Sequence, residues 1–238
     1  MKKLSIILLF LLSCFCAMGQ NPSETQAGVP AITTRVGGFT VARYNYTSNA
    51  SPVNSFNIRS ARILVTGRII DQFEYKFQFR AEGTTTSIDG PHMLDAFVEW
   101  QKYKAFRVKA GQFKRAFTFE NHMHQIDQGF YSYSMAVFKL SGLSDRAREH
   151  SCGGRDLGVQ IQGDLFERDG RSLLHYMVGL YNGQGVNVAD LNDGKDIIGG
   201  VWLSPLEDLR IGAFGWKGTY GRVYEGRYAE VDRLRYAI

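Results

Sequence analysis

The chain has 238 residues, of which 13% are aromatic and 21% charged, with 28 Lys and Arg against 23 Asp and Glu. That surplus is mild and no basic run accompanies it, so the composition gives no nucleic-acid footprint. Past the N-terminus no apolar stretch reaches the ~18 residues a membrane-spanning helix requires, which excludes a helical membrane protein.

The first segment reads as an export signal. Lys2 and Lys3 form a charged start, Leu4 to Cys16 an apolar run, and Ala17-Met18-Gly19 a small-residue cleavage site before Gln20. The run is short for a retained span, and lipoprotein processing at Cys14 is the weaker alternative, because Leu12 fits poorly there. Removal of residues 1–19 leaves 26 basic and 23 acidic side chains and takes Cys14 and Cys16 away. Cys152 then stands alone. It makes no intramolecular disulfide and, with no base identified for it, reads as an inert loop thiol.

Residues 20–34 are a polar lead-in without periodicity. From residue 35 onward the chain reads as one barrel domain built from period-two segments. The clearest is 73–82, where Phe73, Tyr75, Phe77, Phe79 and Ala81 alternate with Glu74, Lys76, Gln78, Arg80 and Glu82. Alternation also predicts strands at 55–68, 93–101, 105–112 and 156–165. Segments 36–46, 173–181, 196–203, 209–217 and 228–238 carry it less cleanly, which makes about ten strands in all.

If the first of these strands runs outward, the outer connections are 47–54, 83–92, 113–155, 182–195 and 218–227, and the inner ones 69–72, 102–104, 166–172 and 204–208. The outer set is the longer, as in outer-membrane barrels. The third outer connection is by far the longest and holds Phe130-Tyr131-Ser132-Tyr133. Its aromatics argue against disorder, so it is expected to fold inward as a constriction, with a short helix within Ser132 to Leu143.

Several stretches together resemble the phosphate-selective porin O and P family. They are Phe56-Asn57-Ile58-Arg59-Ser60-Ala61-Arg62, Leu94-Asp95-Ala96-Phe97-Val98-Glu99, Gly111-Gln112-Phe113-Lys114-Arg115-Ala116-Phe117 and Gly154-Arg155-Asp156-Leu157-Gly158-Val159. Leu180-Tyr181-Asn182-Gly183 and Lys195-Asp196 extend the match more loosely, over about residues 35–220. The resemblance implies an all-β fold, an antiparallel transmembrane β-barrel of roughly sixteen strands. It also implies a homotrimer in the bacterial outer membrane that passes phosphate-like anions or other small polar solutes. With about ten strands and an end within an apparent strand at Arg235-Tyr236-Ala237-Ile238, the chain is expected to be a C-terminally truncated barrel.

Barrel strands that turn apolar residues to lipid turn the alternate residues to the lumen. By that parity Arg62, Arg68, Lys76, Arg80, Arg107, Lys109, Arg115, Arg210, Arg233 and Arg235 face inward. Glu74, Glu82, Asp95, Glu99, Asp156 and Asp164 do so too. Cationic side chains in a pore attract anions and replace part of their hydration. The anion-attracting lining is therefore assigned to Arg62, Lys76, Arg80, Arg107, Lys109, Lys114 and Arg115, the last two at the root of the long loop. The competing reading is that these cations only pair across strands, as Lys76 would with Asp95 or Glu99. Arg155 shares parity with Leu157 and Val159 and is set aside as a lumen residue unless a bulge reverses it.

His122, His124, His150 and Cys152 lack zinc-site spacing, so no metal is expected. Nothing assembles a nucleophile, base and orienter, and no phosphate- or dinucleotide-binding glycine motif occurs, so neither an enzyme nor a cofactor is expected. Tyr44, Tyr46, Phe73, Trp100, Tyr103, Trp202 and Trp216 fall near strand ends and suit interfacial girdles. The function expected is a diffusion porin. The alternatives are a structural or adhesive barrel closed by its long loop, and a lipid-modifying barrel enzyme.

Overall fold

The computed structural model describes residues 5–12, 32–49, 51, 53–81, 92–124, 126–130, 132–142 and 153–238, with backbone alone for 5–12 and 224. The expected cleavage site, most of the lead-in, Glu82, His150 and Cys152 lie outside the described residues. So do most of the connection 83–92 and part of the long loop. Among the described residues no helix is long and apolar enough to cross a membrane. The chain divides into two compact units, residues 1–70 with 76–93 and residues 71–75 with 94–238.

The first unit holds β1(Ser5–Leu12), β2(Ile32–Thr47), β3(Asn54–Ile69) and most of β4(Phe73–Arg80). β2 and β3 form a long antiparallel hairpin from Tyr46↔Asn54 to Ile32↔Ile69, with a bulge between Val41 and Ala42. Ser5–Leu12, read from sequence as the core of the export signal, lies antiparallel along β2 from Ser5↔Thr47 to Leu12↔Thr40. An edge strand offers unpaired backbone donors and acceptors, and an uncleaved run of Ile, Leu and Phe has the β-propensity to take them. Phe39, Val41, Ser60 and Gln78 are buried, whereas Phe56, Ile58, Ile63 and Phe77 are exposed.

The second unit is an antiparallel meander of most of β5(His92–Tyr103), with β6(Phe106–Lys114), β7(Arg155–Arg168), β8(Arg171–Tyr181), β9(Asp196–Leu206), β10(Leu209–Tyr224) and β11(Arg227–Ala237). Each strand pairs with its neighbours in sequence, as in up-and-down β architecture. The connection between β6 and β7 contains α1(Phe119–His122) and α2(Met135–Leu140). Thr118 and Ser134 start the two helices by accepting hydrogen bonds from the backbone N–H of Asn121 and Val137. α2 falls inside the segment expected to be helical; α1 was not foreseen.

The described part of the loop lies on one face of this sheet. Phe117 packs edge-on to Trp216, and Phe119 packs edge-on to Trp202 and Phe214. Phe113, Met177, Tyr181 and Ile198 complete that cluster. The inward third loop anticipated from its length is therefore present.

Which residues each face carries is the decisive feature. On the loop-bearing face Asp156, Gln160 and Asp196 are at most 2% exposed, while on the bare face Leu180, Val201 and Leu234 are 55%, 48% and 62% exposed. A water-soluble sheet buries its apolar face; here Leu157, Val159, Val178, Ile197, Leu203 and Ile211 all stand outside. The arrangement suits a sheet whose outer solvent is hydrocarbon.

Two expectations about the strands are corrected. Segment 204–208 narrows to a turn at 207–208, and 166–172 to one at 169–170. The outer connection 218–227 is a two-residue hairpin, because β10 and β11 remain paired from Phe214↔Ala237 to Tyr224↔Arg227. Glu225 and Gly226 both adopt positive φ at its tip, the geometry that a two-residue turn demands.

Candidate functional site

The polar face of the second unit carries two arrays of charge. The first lies on β5–β9 and begins at Glu99. Its carboxylate lies 3.1 Å from Lys109 Nζ and 3.8 Å from Arg107 Nε, and accepts from the Gln162 amide. Arg107 Nη2 reaches Asp164 Oδ2 at 2.8 Å, and Asp164 Oδ1 meets His175 Nδ1 at 2.6 Å. The His175 ring stacks on Trp202 with centroids 5.2 Å apart and planes 12° apart. Lys109 Nζ also sits 4.8 Å above the Phe97 ring, a cation–π distance. These groups keep contact with water: the Arg107 side chain is 25% exposed and those of Asp164 and His175 are 19%.

The second array is dry. Arg115 donates through Nε and Nη2 to Asp156 Oδ2 at 3.0 and 2.7 Å, and both side chains are fully buried. Arg233 Nη2 lies 2.7 Å from Asp196 Oδ2, which also accepts from Trp216 Nε1 at 2.7 Å. The Trp216 ring is flanked by Arg115, Arg233 and Arg235 at 4.7, 5.0 and 4.3 Å. Buried ionised groups are tolerated only when paired and hydrogen-bonded. Here Thr219 N–H donates to Asp196, and Arg233 donates to the Gly183 and Thr219 carbonyls.

Glycines make room for this array. A Cβ on Gly218 would collide with the Asp196 carboxylate, and one on Gly154 with the Asn121 amide.

This dry array holds the loop. Asn121 Nδ2 donates to the carbonyls of Arg115 and Gly154, Ala116 N–H donates to the Tyr181 hydroxyl, and Arg235 donates to Leu140 O. His122, on α1, has Nδ1 3.2 Å from Thr118 O. The residue is exposed at the loop surface, yet the protein crowded around its ring disfavours the charged form; the contact with the Thr118 carbonyl opposes this, and Lys114 and Lys109 add positive charge that favours the neutral ring. Together these bring its pKa down to about 4.

The predicted lining residues divide accordingly. Arg107 and Lys109 come together in the hydrated array, each beside a carboxylate, as the cross-strand reading anticipated. Lys114 is half-buried and donates to the Met123 carbonyl at 2.7 Å. Arg115 is enclosed, so it anchors the loop and presents no charge to solvent. In the first unit Arg62 lies opposite Phe39 and donates to Ala61 O, while Lys76 and Arg80 share strand parity with buried Gln78.

Arg155 is not turned to the lipid side. It is buried and ion-paired with Asp95, because Gly153 and Gly154 enter β7 with positive φ and its guanidinium folds back to that carboxylate. Trp202 and Trp216 are likewise not girdle residues, since both lie on the loop-bearing face against Phe119 and Phe117. The pairing of Trp216, Asp196 and Arg233 escaped the sequence reading. Its one signal there was the alternation of Phe214 and Trp216 with Ala213, Gly215 and Lys217. Among the described residues no group of His, Cys, Asp or Glu is placed to hold a metal ion.

An antiparallel meander that is apolar outside, charged inside and filled from one face by a long loop defines the wall of a bacterial outer-membrane β-barrel protein. The chain belongs to the phosphate-selective porin O and P family, whose model matches residues 32–195. No curated protein and no solved structure matches it.

Proposed function

We propose that the protein is a porin for passive diffusion of small anionic, phosphate-like or otherwise polar solutes across the bacterial outer membrane. Export would follow cleavage of residues 1–19, and the working form would be a homotrimer. One observation carries this reading: charged and amide side chains are gathered on the loop-bearing face, while the opposite face is bare and apolar. In a sheet passing through lipid, only the first of these faces can meet a solute.

Within that face, Arg107 and Lys109 are the cations assigned to anion attraction, because their array keeps water contact while that of Arg115 does not. Changing both to Gln leaves Glu99 and Asp164 without their cations. The anion-to-cation permeability ratio of the pore in planar bilayers should then fall, by roughly threefold or more, since charge acts strongly in a confined, partly dehydrated lumen. An unchanged reversal potential would remove both residues from the selectivity assignment. A chain that inserts without conducting would favour the structural barrel, closed by its loop.

A further inference from the structure

The hydrated array alternates in sign from strand to strand. Glu99 of β5 lies 3.1 Å from Lys109 and 3.8 Å from Arg107, both on β6. Arg107 also reaches Asp164 of β7 at 2.8 Å. Two cations and two carboxylates thus form one row on the loop-bearing face. We propose that this row makes the pore favour zwitterionic solutes, those of the free amino-acid class, over neutral solutes of like size, an inference that rests on the porin reading above.

The spacing comes first. Neighbouring strands lie about 5 Å apart, so a molecule whose ammonium and carboxylate are a few bonds apart meets both signs at once. Its carboxylate is met by Lys109 and by Arg107, whose planar fork of donors suits that group. Its ammonium is met by Glu99 and Asp164. Both of these carboxylates have a second tether that holds them in the row. Glu99 accepts from the Gln162 amide, and Asp164 Oδ1 meets His175 Nδ1 at 2.6 Å.

Water contact is the next support. The side chains of Arg107, Lys109 and Asp164 are 25%, 17% and 19% exposed. Ion pairs in contact with water are weakly held, so a solute can part them at little cost. The enclosed pair of Arg115 and Asp156 offers no such opening. Balance is the last. A solute of one sign satisfies one member of a pair and strands the other, whereas a zwitterion satisfies both. The pairs close again when it leaves. A neutral solute of equal size gains hydrogen bonds alone.

The test measures osmotic swelling of phosphatidylcholine liposomes that carry the full chain, with protein-free liposomes as the baseline. L-serine should enter about threefold faster than erythritol, a neutral polyol of similar size, the scale of charge acting in a narrow lumen. The readout is the ratio of the two rates, so differences in the number of inserted pores cancel. Glu99→Gln/Arg107→Gln keeps the net charge and breaks the row, and should bring the ratio to about one once those charges no longer act. Arg107→Gln/Asp164→Asn breaks the row at its other pair and should do the same. Serine no faster than erythritol in the parent chain would overturn the proposal, and so would a serine advantage that survives in either double variant. Equal entry of both solutes leaves the porin reading in place and removes only the zwitterion preference. Liposomes that swell with neither solute would overturn the porin reading, and this proposal with it.

Discussion

The two charged arrays on the face of β5–β11 use the same chemistry and differ in water. Arg115 and Asp156 are wholly enclosed and tie the root of the long loop to β7, whereas Arg107 and Asp164 form a similar pair with a fifth to a quarter of each side chain wet. A buried pair contributes little net energy by existing but becomes costly when one partner is lost, since the other charge is stranded. A wet pair can lose a partner and be rehydrated. The dry array should therefore govern whether the loop is held, and the wet one which solutes pass.

The largest expected effect follows from breaking the dry array. Arg115→Met strands the Asp156 carboxylate and should destabilise the protein by about 3–5 kcal/mol. Denaturant unfolding in detergent would report it. The double variant Arg115→Met/Asp156→Leu should recover much of the loss, because neither charge is then left unpaired. A single variant as stable as the parent would erase the distinction between the arrays.

Next in size is a charge placed on the bare face. Val178 lies within β8, opposite Ile161 and Gly199, and is exposed. Val178→Arg should cost about 2–4 kcal/mol if that position is near the bilayer midplane. Its neighbour Met177 points to the loop-bearing side and is buried. A harmless arginine at 178 would mean that the bare face does not meet lipid.

A smaller effect belongs to the loop helix. Because the folded chain holds the pKa of His122 near 4 while an unfolded chain returns it to the ordinary 6.5, unfolding takes up a proton between these values. Stability should thus be unaffected by this group above pH 6.5, fall as pH drops toward 4, and fall no further below that. His122→Gln should flatten that limb of the stability curve. An unaltered limb would show that the ring titrates freely.

How much of this was legible in the sequence depended on which side of the sheet a residue faced. Phe73 to Glu82 alternates without exception because lipid requires apolar side chains on one side, and the lumen tolerates polar ones on the other. The third loop was legible from its length and its aromatics. The dry array was not, because period two fixes a face but says nothing about which carboxylate reaches which guanidinium. Asp196 and Arg233 are far apart in sequence and meet through the pairing of β9, β10 and β11. Arg155 was misjudged for a related reason, since parity follows the Cα trace while a long side chain can fold back from it. The hairpin at Glu225-Gly226 could have been read from its glycine, but Gly218 and Gly221 blurred the strand leading to it.

The smallest effect sets the lower end of the comparison. Lys104, in the turn between β5 and β6, meets Glu167 near the end of β7 at 2.9 Å, and both side chains are more than half exposed. The distance matches that of the Arg115–Asp156 pair, so if proximity alone set the energy the two would count alike. Exposed pairs gain little, because water solvates each charge nearly as well as its partner does and mobile ions screen what remains. Lys104→Gln should change stability by less than about 1 kcal/mol. The difference should shrink further in high salt. It should leave the permeability ratio as it was, since the pair sits at a turn and outside the array of Glu99, Arg107 and Asp164. A loss comparable to that of Arg115→Met would show that pairing itself, and not exclusion of water, separates the two arrays.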